Sequence, residues 1–209
     1  MRSKGKHLMS QKIQGILQKQ TDVRSGQSTN VSNAILLIGT AVSVAWSLYF
    51  AYITIITPYQ IELREGASLV MTQSLLNGRN PFSLESHPLG MNNYGLGYSS
   101  AVWPFALLFG NTLLVHRSIT LVFILATCLL VAGTVYRFQR NLVYGIACSA
   151  FIMVGLMGRG GIGAFPSAMG VFLFLAAALI PFNRSFDYPS LLASIFLSLM
   201  AFYTSNCPG

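Results

Sequence analysis

AILLIGTAVSVAWSLYFAYITIIT, residues Ala34 to Thr57, contains no charged side chain. About twenty-four residues rising about 1.5 Å each make a helix longer than the roughly 30 Å hydrocarbon core of a bilayer. The stretch therefore reads as a first membrane span. Ahead of it, residues 1 to 33 carry Arg2, Lys4, Lys6, Lys12, Lys19 and Arg24, a basic flank that holds this end in the cytoplasm and sends Pro58 out on the opposite side. The span follows about thirty polar residues and exceeds a signal-peptide core, so it reads as an uncleaved anchor. Within the basic segment Leu8, Met9, Ile13, Ile16 and Leu17 recur at helical spacing, as in a helix lying on the cytoplasmic leaflet; a disordered basic tail fits equally well.

Composition agrees with the membrane class. The chain of 209 residues is 53% hydrophobic and 9% charged, which leaves too little charged surface for an ordinary soluble domain. Its formal net charge of +8 lies mostly before the first span, where anionic lipid headgroups, not nucleic acid, are the natural counterion. Nucleic-acid binding needs basic residues interleaved with stacking aromatics on a soluble face, and the aromatics here lie inside apolar segments. Cys128 and Cys148 also fall in apolar runs, where a thiol behaves as a small hydrophobe, so neither a disulfide framework nor a metal site is implied.

Further apolar runs occupy about 99–115, 118–136, 141–157, 165–182 and 190–204. If 99–115 spanned, Arg137, Arg140 and Arg184 would all fall outside, against the usual cytoplasmic excess of arginine and lysine. That run is short and interrupted by Pro104 and Gly110, with Trp103 near its start, as expected of a helix at the outer interface. The expected fold is all-α: about five transmembrane helices, an outer juxtamembrane helix and a long extracytoplasmic loop at 58–98. The basic segment 1–33 precedes a membrane domain at 34–209.

Three of the five acids, Glu62, Glu65 and Glu85, fall in that loop. Positions 62 and 65 are one helical turn apart, and two carboxylates sharing a face can act as a general base with its partner or hold a divalent cation. Acids in the first turn after Pro58 also simply complement a helix dipole. Small residues from Gly155 to Gly163 suggest close helix approach. Gly158-Arg159-Gly160-Gly161-Ile162-Gly163 lacks the Gly-Lys-Ser/Thr ending of a phosphate loop and follows an apolar helix, not a strand. His87 before Pro88 reads as a turn residue, and Gly95 and Gly97 as permitting a tight chain reversal.

The order of these pieces resembles the start of the membrane glycosyltransferases of the C-type fold, the protein mannosyltransferase-like group. A basic-flanked span is followed by an acid just outside it and by Glu65-Gly66-Ala67. Then come Leu75-Leu76-Asn77-Gly78-Arg79-Asn80-Pro81-Phe82, Asn93-Tyr94-Gly95 with Tyr98, Pro104, Phe109-Gly110 and His116-Arg117. The resemblance covers about sixty residues. It implies transfer of a sugar from a polyprenyl-phosphate donor to an extracytoplasmic acceptor, in a bacterial plasma membrane. It further implies a loop acid as catalytic base or metal ligand: Glu62 by position, where the family more often has Asp, with Glu65 in reserve. Arg79, Arg117 and Arg159 would hold the lipid-linked phosphate, and Tyr94 would hydrogen-bond the sugar. A second acid, frequent in the family's later outer loop, is absent beside Arg159. Family members are also usually about twice this length or more, so the expectation is a glycosyltransferase or a truncated fragment of one. A small non-catalytic multispan protein, such as a transporter part or assembly subunit, is the alternative. Transporters place ionisable groups at mid-membrane, whereas these acids sit outside the apolar runs.

Overall fold

The computed structural model describes residues 31–83, 95–158, 163 and 166–205. It is all-helical over these residues: α1 (Val31–Ile56), α2 (Leu63–Leu76), α3 (Leu96–Phe109), α4 (Leu113–Gln139), α5 (Leu142–Gly158), α6 (Pro166–Asn183) and α7 (Tyr188–Ser205). α1, α4 and α6 are long and apolar enough to cross a membrane, and α3, α5 and α7 are shorter apolar helices. The surface helix expected around Leu8 to Leu17, His87, Tyr94 and Arg159 lie outside the described residues.

The apolar run at 99–115 proves to be two elements. Gly110 ends α3 with φ +85, where a side chain would be strained, and Thr112 then caps α4 by accepting a hydrogen bond from the Val115 N–H at 3.4 Å. At the far end of α4, Arg140 takes the left-handed cap conformation and α5 folds back against α4. That hairpin is close because Gly145 lies against the Ala132 carbonyl and the Cys128 thiol reaches the Ser149 carbonyl at 3.4 Å.

Contacts along the helices sort their ends onto two rims. α4 and α6 run parallel, with Val115 near Met169 at one end, Phe123 against Phe172 midway, and Thr134 bonded to Asn183 at the other. α7 returns beside α6, where the Ser194 hydroxyl donates to the Ala177 carbonyl at 2.6 Å. α1 meets α5 and α6 through Ala51, packed with Ile124, Met153, Met157 and Ala168. The C-terminal ends of α1, α5 and α7 and the N-terminal ends of α4 and α6 thus share an upper rim. α3 starts against Thr204 of α7 and ends next to the start of α4, so both its ends lie at the upper rim. Its Tyr98, Val102 and Ala106, four residues apart, face the core, while Trp103, Phe105, Leu107, Leu108 and Phe109 face outward.

The burial pattern differs from that of a water-soluble bundle in placing hydroxyl side chains in the core and many large apolar ones outside. Threonines recur every seven residues on the buried face of α4, at 120, 127 and 134, each donating its hydroxyl to the carbonyl four residues back. α1 buries Thr40, Ser47 and Thr54 at the same spacing, and large apolar side chains such as Trp46, Phe151, Phe174 and Leu199 point outward. Small hydroxyl residues let helices approach where water offers no hydrophobic drive, and exposed apolar side chains suit a lipid surround.

Two glycine expectations change. Gly95 and Gly97 do not make a chain reversal: Gly95 precedes α3 in extended conformation, and Gly97 lies in its first turn, where a Cβ would sit 2.5 Å from the Thr204 hydroxyl. Close helix approach occurs there and at Gly145, not at Gly155 or Gly158, which have open space within 4 Å.

Candidate functional site

The upper rim gathers the acids and their partners. Pro58 interrupts the chain after α1, and Glu62 occupies the cap position of α2 in extended conformation (φ −142, ψ 145), so helical geometry begins only after it. Glu62 and Glu65 therefore do not share a helix face, and the paired-carboxylate expectation fails for that reason. The Glu62 side chain is 41% exposed and its Oε1 lies 2.9 Å from Arg64 Nε. Glu65, one turn into α2, points inward and is fully buried.

Arg117 of α4 meets Glu65 in a two-pronged pair, Nε to Oε1 at 2.8 Å and one terminal nitrogen to Oε2 at 2.7 Å. That nitrogen also donates to the Tyr59 carbonyl at 2.8 Å, and the other donates to the carbonyls of Thr54 and Thr57, both at 2.6 Å. A guanidinium has five N–H groups, and this set engages all five. The Ile61 N–H donates to Glu65 Oε2 at 2.8 Å. Arg117 thus satisfies carbonyls left open at the C-terminal end of α1, where the helix dipole favours a cation, and ties them to α2. The expectation that Arg117 offers its guanidinium to a phosphate does not match this arrangement, since no donor remains over. Nor does Glu65 present a free carboxylate for base or metal chemistry.

Beside this clamp runs a second polar set. The Asn111 amide donates to the Leu69 carbonyl at 2.9 Å and to Gln73 at 3.2 Å, and its oxygen lies 2.9 Å from His116 Nε2. The Tyr98 hydroxyl reaches the His116 carbonyl and the Thr120 hydroxyl, each at 3.0 Å. These bonds hold α2, α3 and α4 together at the rim. The sequence pattern singled out Tyr98 and His116 without assigning them this task.

Glu62 also closes one end of a groove of about 440 Å³ between α1 and α5. Trp46, Phe50 and Thr54 form one wall, Val154 and Met157 the other, and Gly158 and Ile61 complete the upper end. Sequence reasoning missed the walls: their helical spacing is visible on each helix, but nothing in the pattern says that α1 and α5 face one another. Arg79 is exposed just beyond the far end of α2, separated from Glu62 by a helix of fourteen residues, about 21 Å long. The structure brings Glu65 and Arg117 together and leaves Arg79 apart.

Fold and rim together define a helical bundle, three of whose helices are long and apolar enough to cross a membrane, with a carboxylate lining an apolar groove. No family model, curated protein or solved structure matches the chain.

Proposed function

We propose that the chain is a polytopic membrane glycosyltransferase, or the first part of one, with Glu62 as its base. In this reading α1, α4, α5, α6 and α7 cross the membrane, the lower rim faces the cytoplasm, and α2 and α3 lie at the outer interface. The observation that carries the proposal is the placement of Glu62 at the end of the groove. Apolar walls suit a polyprenyl tail, and a half-exposed carboxylate at their polar end suits an acceptor hydroxyl. The carboxylate takes the hydroxyl proton, the hydroxyl oxygen bonds to the anomeric carbon, and the sugar–phosphate bond breaks with its electron pair leaving on polyprenyl phosphate.

Arg64, beside Glu62, and Arg159, next in the chain after Gly158, are the cations assigned to the donor phosphate. Tyr94 remains a candidate for the sugar. Arg117 and Glu65 fix the end of α1 against α2 and so set where Glu62 stands, while Arg79 lies off the groove and serves the outer headgroup layer. A divalent cation bridging two loop acids has no part in this proposal, because Glu62 and Glu65 diverge.

The test is sugar transfer from labelled polyprenyl-phosphate donors in membranes, by this chain and by an active longer form. Glu62→Gln keeps the shape and removes the charge, so turnover should fall by about 10² or more. The thermal midpoint should hardly move, since Glu62 has one exposed ionic partner. Transfer at the parent rate by a folded Glu62→Gln protein removes Glu62 from the mechanism, and absence of transfer by every form removes the proposal.

A further inference from the structure

At the lower rim the ends of α4 and α6 are tied together: the Asn183 amide donates to the Thr134 hydroxyl at 2.8 Å, and the Phe138 and Phe182 rings stand 4.7 Å apart. Phe186 continues this line edge-on to Phe182 at 6.5 Å, and all three rings are exposed. Arg137 and Arg140 flank Phe138 in the chain and Arg184 lies between Phe182 and Phe186; each is exposed, and neither ion pair among the described residues involves any of the three. The nearby acid in sequence, Asp187, is occupied in capping α7, accepting from the Ser190 N–H at 3.2 Å. The described non-glycine residues with left-handed backbone, Arg140, Ser185 and Phe186, all fall at this rim. Glycine adopts that conformation at lower cost, so the chain keeps large and charged side chains where the backbone disfavours them.

We infer that this rim is a binding site for an anionic phospholipid, its headgroup phosphate among the three guanidinia and its acyl chain along the phenylalanine line. Three exposed cations on one rim, none in an ion pair among the described residues, repel one another, and a phosphate relieves that repulsion with the fork geometry arginine offers. The exposed rings beside them give an apolar contact that a free anion would not use. The inference rests on the membrane placement of the bundle and not on glycosyl transfer.

The test places the whole chain in nanodiscs mixing phosphatidylcholine with phosphatidylglycerol and counts retained lipids by native mass spectrometry. Phosphatidylglycerol should be enriched about tenfold or more over its bulk share, and Arg137→Gln, Arg184→Gln and Arg140→Asn should each lower the enrichment roughly fivefold. Asn suits position 140 because it tolerates left-handed backbone. The unaltered chain supplies a readout independent of variant folding: enrichment should decline as salt rises to about 0.5 M. Equal retention of the two lipids, or an enrichment that survives both salt and the folded variants, overturns the inference. Displacement by inorganic phosphate beyond that by chloride at equal ionic strength would mark a free-anion site and overturn it as well.

Discussion

Arg117 and Glu65 are both fully buried, and breaking such a pair costs far more than keeping it contributes. Glu65→Ala leaves a guanidinium with backbone carbonyls but no counter-charge, so the protein should lose about 3–5 kcal/mol of stability. Arg117→Lys should also destabilise, because an ammonium has three donors where five are engaged. Thermal melts in detergent measure both. Set beside Glu62→Gln they separate two functions: the Glu65 and Arg117 changes should lower stability and transfer together, and the Glu62 change should lower transfer alone. A Glu65→Ala protein melting at the parent temperature would show that the pair does not hold the rim.

Helix contact distinguishes the glycines of α5. A Cβ on Gly145 would lie 2.9 Å from the Ala132 backbone carbonyl, which cannot rotate away, so Gly145→Ala must push α5 off α4 at a cost of about 1–3 kcal/mol. Gly155, in the same helix, has nothing within 4 Å, and Gly155→Ala should be neutral or stabilising by up to about 1 kcal/mol. Opposite signs from one substitution type in one helix are readable in a pair of melting curves. Equal effects would contradict the placement of the α4–α5 hairpin.

For the whole molecule, the two rims become a topology once a membrane is placed between them. Single cysteines in a background free of Cys128, Cys148 and Cys207 should decide it. A reporter at Gln139, beside Arg140 on the lower rim, should react only from the cytoplasm, and one at Arg79 only from outside. Labelling of Gln139 exclusively from outside would reverse the orientation, and labelling of both from the same side would remove the odd number of crossings. α3 carries the decision: at fourteen residues, about 21 Å, it is short of the hydrocarbon core, and both its ends already lie at the upper rim.

Most helix positions were legible in the sequence because uninterrupted apolar length and the breaks at Pro58, Arg140 and Asn183-Arg184 are local properties of the chain, whereas α2 falls inside the segment expected as a loop at 58–98 and Gly110 divides the run read as one at 99–115. Ala34–Thr57 by itself sufficed for α1, already helical at Val31, and the runs from 118 onward became α4 to α7 with ends shifted by a few residues. Which polar groups meet was not legible. Glu65 and Arg117 are fifty-two positions apart, and Glu62 differs from Glu65 only in standing before the first helical residue instead of one turn inside. Periodicity treats those two acids alike. Only the tertiary structure turned one into a buried counter-ion and left the other at the head of a groove, because desolvation and hydrogen-bond geometry depend on what packs against a side chain.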